Sequence, residues 1–252
     1  MGRGAPLAAV LLAACAAATD SLAPGTSRGR GSGRGGAGEP DPKLVAALRA
    51  TIPLDPVVVG RDPYEALHGR EPPRVPPGSV CGVRFEPDRV HYRLATFAGE
   101  GEARAAGFAV THVGGCGACS TLQDLAVYVE RPDLTAPVRR CGMLPTEAGS
   151  LACIEALGFS HSCARVWYFN ARHTKEECLA VCIASWAEGE PSTGKDGKLN
   201  PCLQCDEDRS GPVFKLVAGR TRRNSGLRSS IPRADEEVAH VVHDYVPGAS
   251  VP

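Results

Sequence analysis

The pattern of apolar and polar positions predicts two helices and two strands in the first half of the chain. Asp41 to Thr51 (DPKLVAALRAT) has an amphipathic pattern behind an Asp-Pro start, which predicts a short helix. Arg89 to Ala98 and Gly107 to Val113 are rich in β-branched and aromatic residues. The Gly/Glu-rich stretch between them predicts a turn that pairs the two strands. Thr121 to Val129 has a helical pattern and follows a glycine-rich turn.

The second half of the chain has a helical character. Ser160 can cap a helix that reaches about Arg172, and Thr174 to Glu177 has the form of a capping box for a second helix ending near Ala187. A short connection around His173 would make these an antiparallel hairpin. Cys163 lies ten residues before His173 and Cys182 nine after it, so we expect these two cysteines to pair. Cys178 would then form a disulfide with a different cysteine. The chain after Gly194 is expected to be loop-like.

These elements predict an α+β fold, with a small strand-containing part followed by a disulfide-rich helical hairpin region. We divide the chain into a signal peptide (1–18), a linker rich in Gly, Arg and Ser (19–43), a proline-rich lead-in (44–78) and a cysteine-rich α+β domain (79–248). The linker composition cannot bury enough apolar surface to offset its ordering entropy, so it is expected to be disordered.

The N-terminal apolar run indicates entry into a secretory pathway. Arg3 precedes an apolar run from Ala5 to Ala18 that ends in small residues, which is the order of a signal peptide. The run is shorter than the roughly 20 apolar residues that span a bilayer, and no later stretch replaces it, so no integral membrane segment is expected. Two less favoured alternatives stay open: lipidation of Cys15 as in a bacterial lipoprotein, and plastid targeting.

Ten cysteines follow the signal peptide, an even number that suits five disulfides in an oxidising compartment. Spacing alone does not fix the connectivity. We expect scaffold disulfides to involve Cys81, Cys141, Cys153, Cys163, Cys178, Cys182, Cys202 and Cys205.

The remaining two, Cys116 and Cys119, lie in the turn Gly114-Gly115-Cys116-Gly117-Ala118-Cys119 and invite three chemical hypotheses. As a redox dithiol, the turn resembles the thioredoxin active site, where helix amides lower a thiol pKa. As a nucleophile, Cys119 resembles the catalytic cysteine of papain-type proteases, with Cys116 structural. In that case His112 could tune the thiol, and His240 or His243 could act as base with Asp244 nearby. A zinc site made with the Cys202/Cys205 pair ranks lowest.

Charge is balanced overall but unevenly distributed. Formal net charge is zero, which gives no global bias toward nucleic acid. The segment 219–233 carries five arginines and no acid, whereas 234–252 carries four acids and no Lys or Arg. Two interpretations follow: solvated surfaces that neutralise each other, or an anion-binding site at Arg220, Arg222 and Arg223.

From about Gly107 to Tyr245, the order of features resembles a group of uncharacterised cysteine-rich secreted proteins of algae and other protists. The segments that carry the resemblance are VTHVGGCGACSTLQDLAVY, GFSHSCARVW, LNPCLQCDEDRSGPVFK and AGRTRRNSGL. No activity attaches to that group, so the resemblance implies a single domain and no catalytic residues.

The sequence therefore favours a secreted, disulfide-stabilised binding or structural module with an extracellular ligand and no cofactor or metal. The alternative is a thiol-dependent enzyme centred on Cys119, either a hydrolase or an oxidoreductase.

Overall fold

The computed structural model describes residues 41–194 and 196–246. The predicted signal peptide, Cys15 and all but the last three residues of the predicted linker lie outside the described residues. The predicted α+β class is confirmed, because a four-stranded sheet and a larger set of helices share one fold.

The sheet consists of β1 (Ile52–Pro53), β2 (Val80–Phe85), β3 (His91–Phe97) and β4 (Ala109–Val113), in the order β1-β3-β2-β4. β1 is parallel to β3, and the other neighbours are antiparallel. The two predicted strands exist as β3 and β4, but the prediction that they pair is wrong, because β2 lies between them. The stretch predicted as their turn contains a helix, α3 (Glu100–Ala105), which begins after Gly99 with two glutamates in its first turn.

The helices form the larger part of the fold, and most of their first residues follow a local capping signal. Asp41, Thr121, Ser160 and Asn200 each accept a hydrogen bond from a backbone N–H of the helix that they precede. The remaining helices are α1 (Pro42–Arg49), α2 (Pro63–Ala66), α4 (Leu122–Glu130), α5 (Thr135–Gly142), α6 (Glu147–Glu155), α7 (His161–Ala187), α8 (Pro201–Arg209) and α9 (Gly211–Ala218).

Two apolar cores, and a smaller cluster of the cysteines that join α7 to α8, hold the described elements together. One lies between the sheet and helices α1 and α4, where Leu48, Tyr92 and Leu125 are fully buried. The other lies among the helices and is centred on α7 and α9, with Val166 and Phe214 among its members. Within the described ranges, no helix is both long and apolar enough to cross a membrane.

Helix α7 runs for 27 residues without a break, so the predicted hairpin around His173 is wrong. The capping-box residues lie inside the helix, where Glu176 accepts a hydrogen bond from Arg172 one turn earlier. Thr174 and His173 are held by side chains at the end of α8 and the start of α9. Local sequence therefore offered a helix start that tertiary contacts override.

A disulfide-linked helical hairpin does occur, but α7 forms it with α8. Cys178 bonds to Cys205 and Cys182 to Cys202, which fixes the two helices antiparallel. The predicted Cys163–Cys182 bond is wrong, since 19 residues on one continuous helix separate two Cα atoms by about 28 Å. The loop predicted after Gly194 gives way to α8 and α9.

Candidate functional site

The cysteines of the glycine-rich turn form two separate disulfides with distant partners. Cys116 bonds to Cys81 on β2, and Cys119 bonds to Cys163 in the first turn of α7. Cys119 is fully buried. Neither residue carries a free thiol and the two are not bonded to each other, which corrects both the nucleophile and the redox-dithiol hypotheses. The zinc hypothesis fails for the same reason, because Cys202 and Cys205 are bonded to α7.

The glycines of this turn serve a close backbone approach. A Cβ atom on Gly117 would lie 2.5 Å from the Val217 carbonyl oxygen and 2.6 Å from the Gly219 nitrogen. The approach is sealed by hydrogen bonds from the backbone N–H of Ala118 to Val217 O (2.9 Å) and of Cys119 to Ala218 O (2.9 Å). The turn that resembles a reactive-thiol loop therefore serves to pack its backbone directly against the end of α9.

His112 supports this turn instead of tuning a thiol. Its Nδ1 donates to the Val113 carbonyl (3.0 Å), and its Nε2 accepts from the Ser120 hydroxyl (2.8 Å). Ser120 Oγ in turn accepts from the Gly117 backbone N–H (2.8 Å). Burial lowers the pKa of His112, and the charge of Arg220 lowers it further. The ring is therefore neutral, as the two hydrogen bonds require.

Arg220, just after the end of α9, is fully buried. Its guanidinium has five N–H donors, and all five are used within the protein. The acceptors are the carbonyl oxygens of Thr111, Cys119 and Ser120 and the hydroxyls of Thr111 and Ser225. The prediction that Arg220 binds an external anion is therefore wrong, since it has no donor left and no access to solvent.

His243 belongs to the same buried network. Tyr245 donates from its hydroxyl to His243 Nδ1 (2.8 Å), and His243 Nε2 donates to the Ser225 carbonyl (2.9 Å). Thr111 links the Tyr245 hydroxyl (2.7 Å) to Arg220. Burial lowers the pKa of His243 to about 4. Through these hydrogen bonds its ring joins the C-terminal segment to the core, and it does not act as a base toward Cys119. His240, the other candidate base, lies at an exposed position.

A groove with a volume of about 400 Å³ lies elsewhere, between α5, α7, the α8–α9 pair and the segment 221–233. Tyr128, Trp167 and Phe214 form its deeper part, and the Trp167 and Phe214 ring centroids lie 4.6 Å apart. Trp186 and Leu179 line its outer part and are partly exposed. The size falls within the range of small-molecule sites, and the mainly apolar surface of the lining suits an apolar group.

Tyr128 and Trp167 line the groove, but their polar atoms, the Tyr128 hydroxyl and the indole nitrogen, are buried and present no accessible surface to it. The Trp167 side chain lies close to the Tyr128 hydroxyl, since burial raises the pKa of Tyr128 while Trp167 lowers it. These two residues therefore contribute mainly their rings to the wall of the groove.

Four basic side chains line the side of the groove made by α9 and the segment 221–233. We call them the cationic cluster: Lys215, Arg222, Arg223 and Arg233.

Three members of the cationic cluster share the carboxylate of Glu207, at 2.7 Å from Lys215, 3.4 Å from Arg223 and 3.2 Å from Arg233. Burial alone would raise the pKa of Glu207, but Lys215 and the two arginines together lower it. Glu207 therefore stays ionised and holds the cluster in place.

Arg222 differs from its neighbours because its acceptors, among the described residues, are backbone carbonyls only. It donates to the oxygens of Tyr128, Arg131 and Arg228. Burial lowers the pKa of Arg222 to about 10. The cation thus ties α4 to the segment 221–233.

The remaining acids of the lining are engaged by uncharged groups. Asp206 accepts from Thr174 and from the Asn170 amide (3.3 Å), and burial raises its pKa. Glu190 accepts from the Ser185 hydroxyl. The acidic segment after Arg233 pairs with the basic one at Arg228–Asp235 (2.7 Å) and Arg223–Glu237 (3.7 Å). The expected neutralisation between the two segments is therefore present, but it is incomplete.

Comparison with known proteins locates one similar family. Residues 147–241 match a family model described as a family of unknown function (DUF8771). The match runs from the start of α6 through α9 and includes the whole cationic cluster. No curated protein matches the chain, and no solved structure matches it.

Sequence reasoning flagged Arg222 and Arg223 but missed Arg233, Tyr128 and the two tryptophans as groove residues. Trp167 also packs against the helical core. One signal was available: the chain has only two tryptophans, and both lie on the helix that bears Cys178 and Cys182. Nothing local indicated that α5 would close the other side.

Proposed function

We propose that this protein is a secreted, disulfide-stabilised binding module whose small extracellular ligand occupies the groove between α5, α7 and the segment 221–233. The observation that carries the proposal is a groove of about 400 Å³ whose mainly apolar surface is bordered by six basic side chains. An apolar pocket with a few converging polar groups is the usual form of a small-molecule site.

The disulfides support this function because they fasten the elements that form the groove. Cys178–Cys205 and Cys182–Cys202 fix α8 against α7, and Cys141–Cys153 fixes α5 against α6. Each such bond stabilises a fold by roughly 2–4 kcal/mol. A preformed groove loses less conformational entropy on binding than a flexible one. Five disulfides also suit an oxidising, extracellular compartment.

The thiol-enzyme alternative loses its support in this geometry. Cys182 and Cys202, the cysteines that line the groove, are bonded to each other. Cys119 is bonded to Cys163 and buried. Binding is the function that the groove supports without a reactive thiol.

Tryptophan fluorescence tests the proposal, since both tryptophans line the groove. We would titrate the protein with three compounds that share a phenylbutyl body: 4-phenylbutyrate, 4-phenylbutan-1-ol and 4-phenylbutylamine. We expect at least one to give a saturable change in emission.

A groove-filling variant shows where binding occurs. Ser230→Phe places a ring in the groove from an exposed position and keeps the backbone hydrogen bond from Ser230 to Pro132 (3.1 Å). Ala180→Phe adds the same ring at an exposed position of α7 outside the groove. Ser230→Phe should weaken binding at least tenfold and Ala180→Phe should not. No saturable change with any compound, or equal effects of the two variants, would overturn the proposal.

A further inference from the structure

Resting on the proposed function, we infer that the ligand is an amphipathic anion, with its acidic group at the cationic cluster and its apolar body against Trp167 and Phe214. The inference assigns a charge class to the ligand, which the shape of the groove alone does not.

The charge balance of the groove is the first argument. The chain as a whole has no net charge, yet the four cations of the cationic cluster form ion pairs with just two carboxylates among the described residues, Glu207 and Glu237. Beyond the cluster, Arg139 and Lys175 also line the groove, with the Arg139 guanidinium 5.4 Å from the centre of the Trp186 ring. A cleft with one dominant sign of charge raises the local concentration of ligands of the opposite sign.

Arg222 provides the second argument. A half-buried cation whose acceptors are all neutral gains more electrostatic stabilisation from a nearby carboxylate than an exposed cation that already has an acidic partner. Arg222 has five N–H donors and makes four hydrogen bonds, so one donor remains without an acceptor among the described residues. An anionic oxygen placed next to Arg222 would therefore give this arginine both an opposite charge and an acceptor for its remaining N–H.

The number of acids in the lining is the third argument. Six basic side chains line the groove, but only three carboxylates do so among the described residues: Glu190, Asp206 and Glu207. A cationic ligand would therefore meet net repulsion in the groove, whereas a carboxylate, sulfate or phosphate group would meet net attraction.

The three phenylbutyl compounds test the inference because they differ mainly in the charge of the head group. We expect 4-phenylbutyrate to bind at least tenfold more tightly than the alcohol, and the amine to bind most weakly. Added NaCl should weaken binding of the acid and leave binding of the alcohol nearly unchanged.

Arg233→Gln locates the effect, because it removes one cation while Lys215 and Arg223 still hold Glu207. It should reduce the preference for the acid over the alcohol at least threefold. The matched control is Arg74→Gln, an exposed arginine outside the groove paired with Glu71, which should leave the preference unchanged. Circular dichroism of each variant verifies folding.

The outcomes separate this inference from the proposed function. Equal affinities for the three compounds, or tightest binding of the amine, would overturn the anion inference while the groove remains a binding site. An acid preference that Arg233→Gln leaves intact would also overturn it. If none of the three compounds binds, the proposed function itself fails, and the inference fails with it.

Discussion

Asp124 provides a sharp test of the packing described above. It is fully buried and joins α4 to the start of α7. One carboxylate oxygen accepts from the Ser160 backbone N–H (2.8 Å), and the other accepts from the Ser160 hydroxyl (2.9 Å) and the Thr121 hydroxyl (2.5 Å). Burial nevertheless raises the pKa of Asp124 to about 6, against an ordinary value of 3.8.

The raised pKa of Asp124 makes the folded protein less stable as the pH rises. Because the folded state holds the proton more tightly than the unfolded state, the stabilisation by protonated Asp124 is complete below about pH 4 and is lost as the pH rises through 6. The difference between the two pKa values corresponds to about 3 kcal/mol. Ionised Asp124 therefore destabilises the native protein by about this amount at pH 7.5.

The substitution Asp124→Asn removes the charge and keeps the shape. Its amide NH₂ can donate to the Ser160 and Thr121 hydroxyls, while its carbonyl oxygen accepts from the Ser160 N–H. The unfolding free energy of the variant minus that of the wild-type protein should rise by about 3 kcal/mol between pH 4 and pH 7.5. Urea titrations with the disulfides intact measure this difference.

A surface substitution serves as the control. Asp235→Asn removes an exposed carboxylate that pairs with Arg228, and its effect should vary little over the same pH range. A difference for Asp124→Asn that stays constant with pH, or that falls as the pH rises, would refute the burial argument.

Three further predictions concern the parts of the fold that resemble reactive sites. Gly117→Ala should destabilise the protein by about 2 kcal/mol or more, because its Cβ would meet the backbone of α9. Gly101→Ala, in an open helical position, should instead stabilise the protein by about 0.5–1 kcal/mol. Thermal unfolding compares the two variants, and equal effects would contradict the close approach at Gly117. His243 should titrate near pH 4 in a proton NMR titration of the folded protein, and a midpoint near 6.5 would contradict its burial. Because its pKa is lowered, its contribution to stability is present above about pH 6.5 and is lost as the pH falls through 4. Iodoacetamide should leave Cys119 unlabelled in the native protein, and peptide mapping should link it to Cys163; a labelled Cys119 would restore the nucleophile hypothesis.

Local signals predicted a good part of the secondary structure. The start of α1 at Asp41 and the start of α7 at Ser160 follow from caps, whose hydrogen bonds span only a few residues. The capping box at Thr174 misled for the same reason, because nothing local shows that Asp206 and Ser210 hold Thr174 inside a continuous helix. Strand β2 also escaped the pattern, because its first four residues are all buried and show no alternation.

The candidate site depends on contacts that local sequence does not encode. Disulfide partners 35 and 44 residues apart decide that Cys116 and Cys119 carry no free thiols. The arginine-rich segment was recognisable as charged, but its members separate in space: Arg220 enters the core, and Arg222 lines the groove. Only the packing of α5 and α9 against α7 brings these groups together.

The most direct test of the binding function uses the two indole N–H groups as probes inside the groove. A ¹⁵N-labelled sample should show one indole signal each for Trp167 and Trp186 in a two-dimensional NMR spectrum. We predict that saturating 4-phenylbutyrate moves both signals, because both tryptophans line the groove. In Ser230→Phe the concentration that moves both signals halfway should be at least ten times higher. If both indole signals of the wild-type protein stay in place at saturation, the groove is not the binding site.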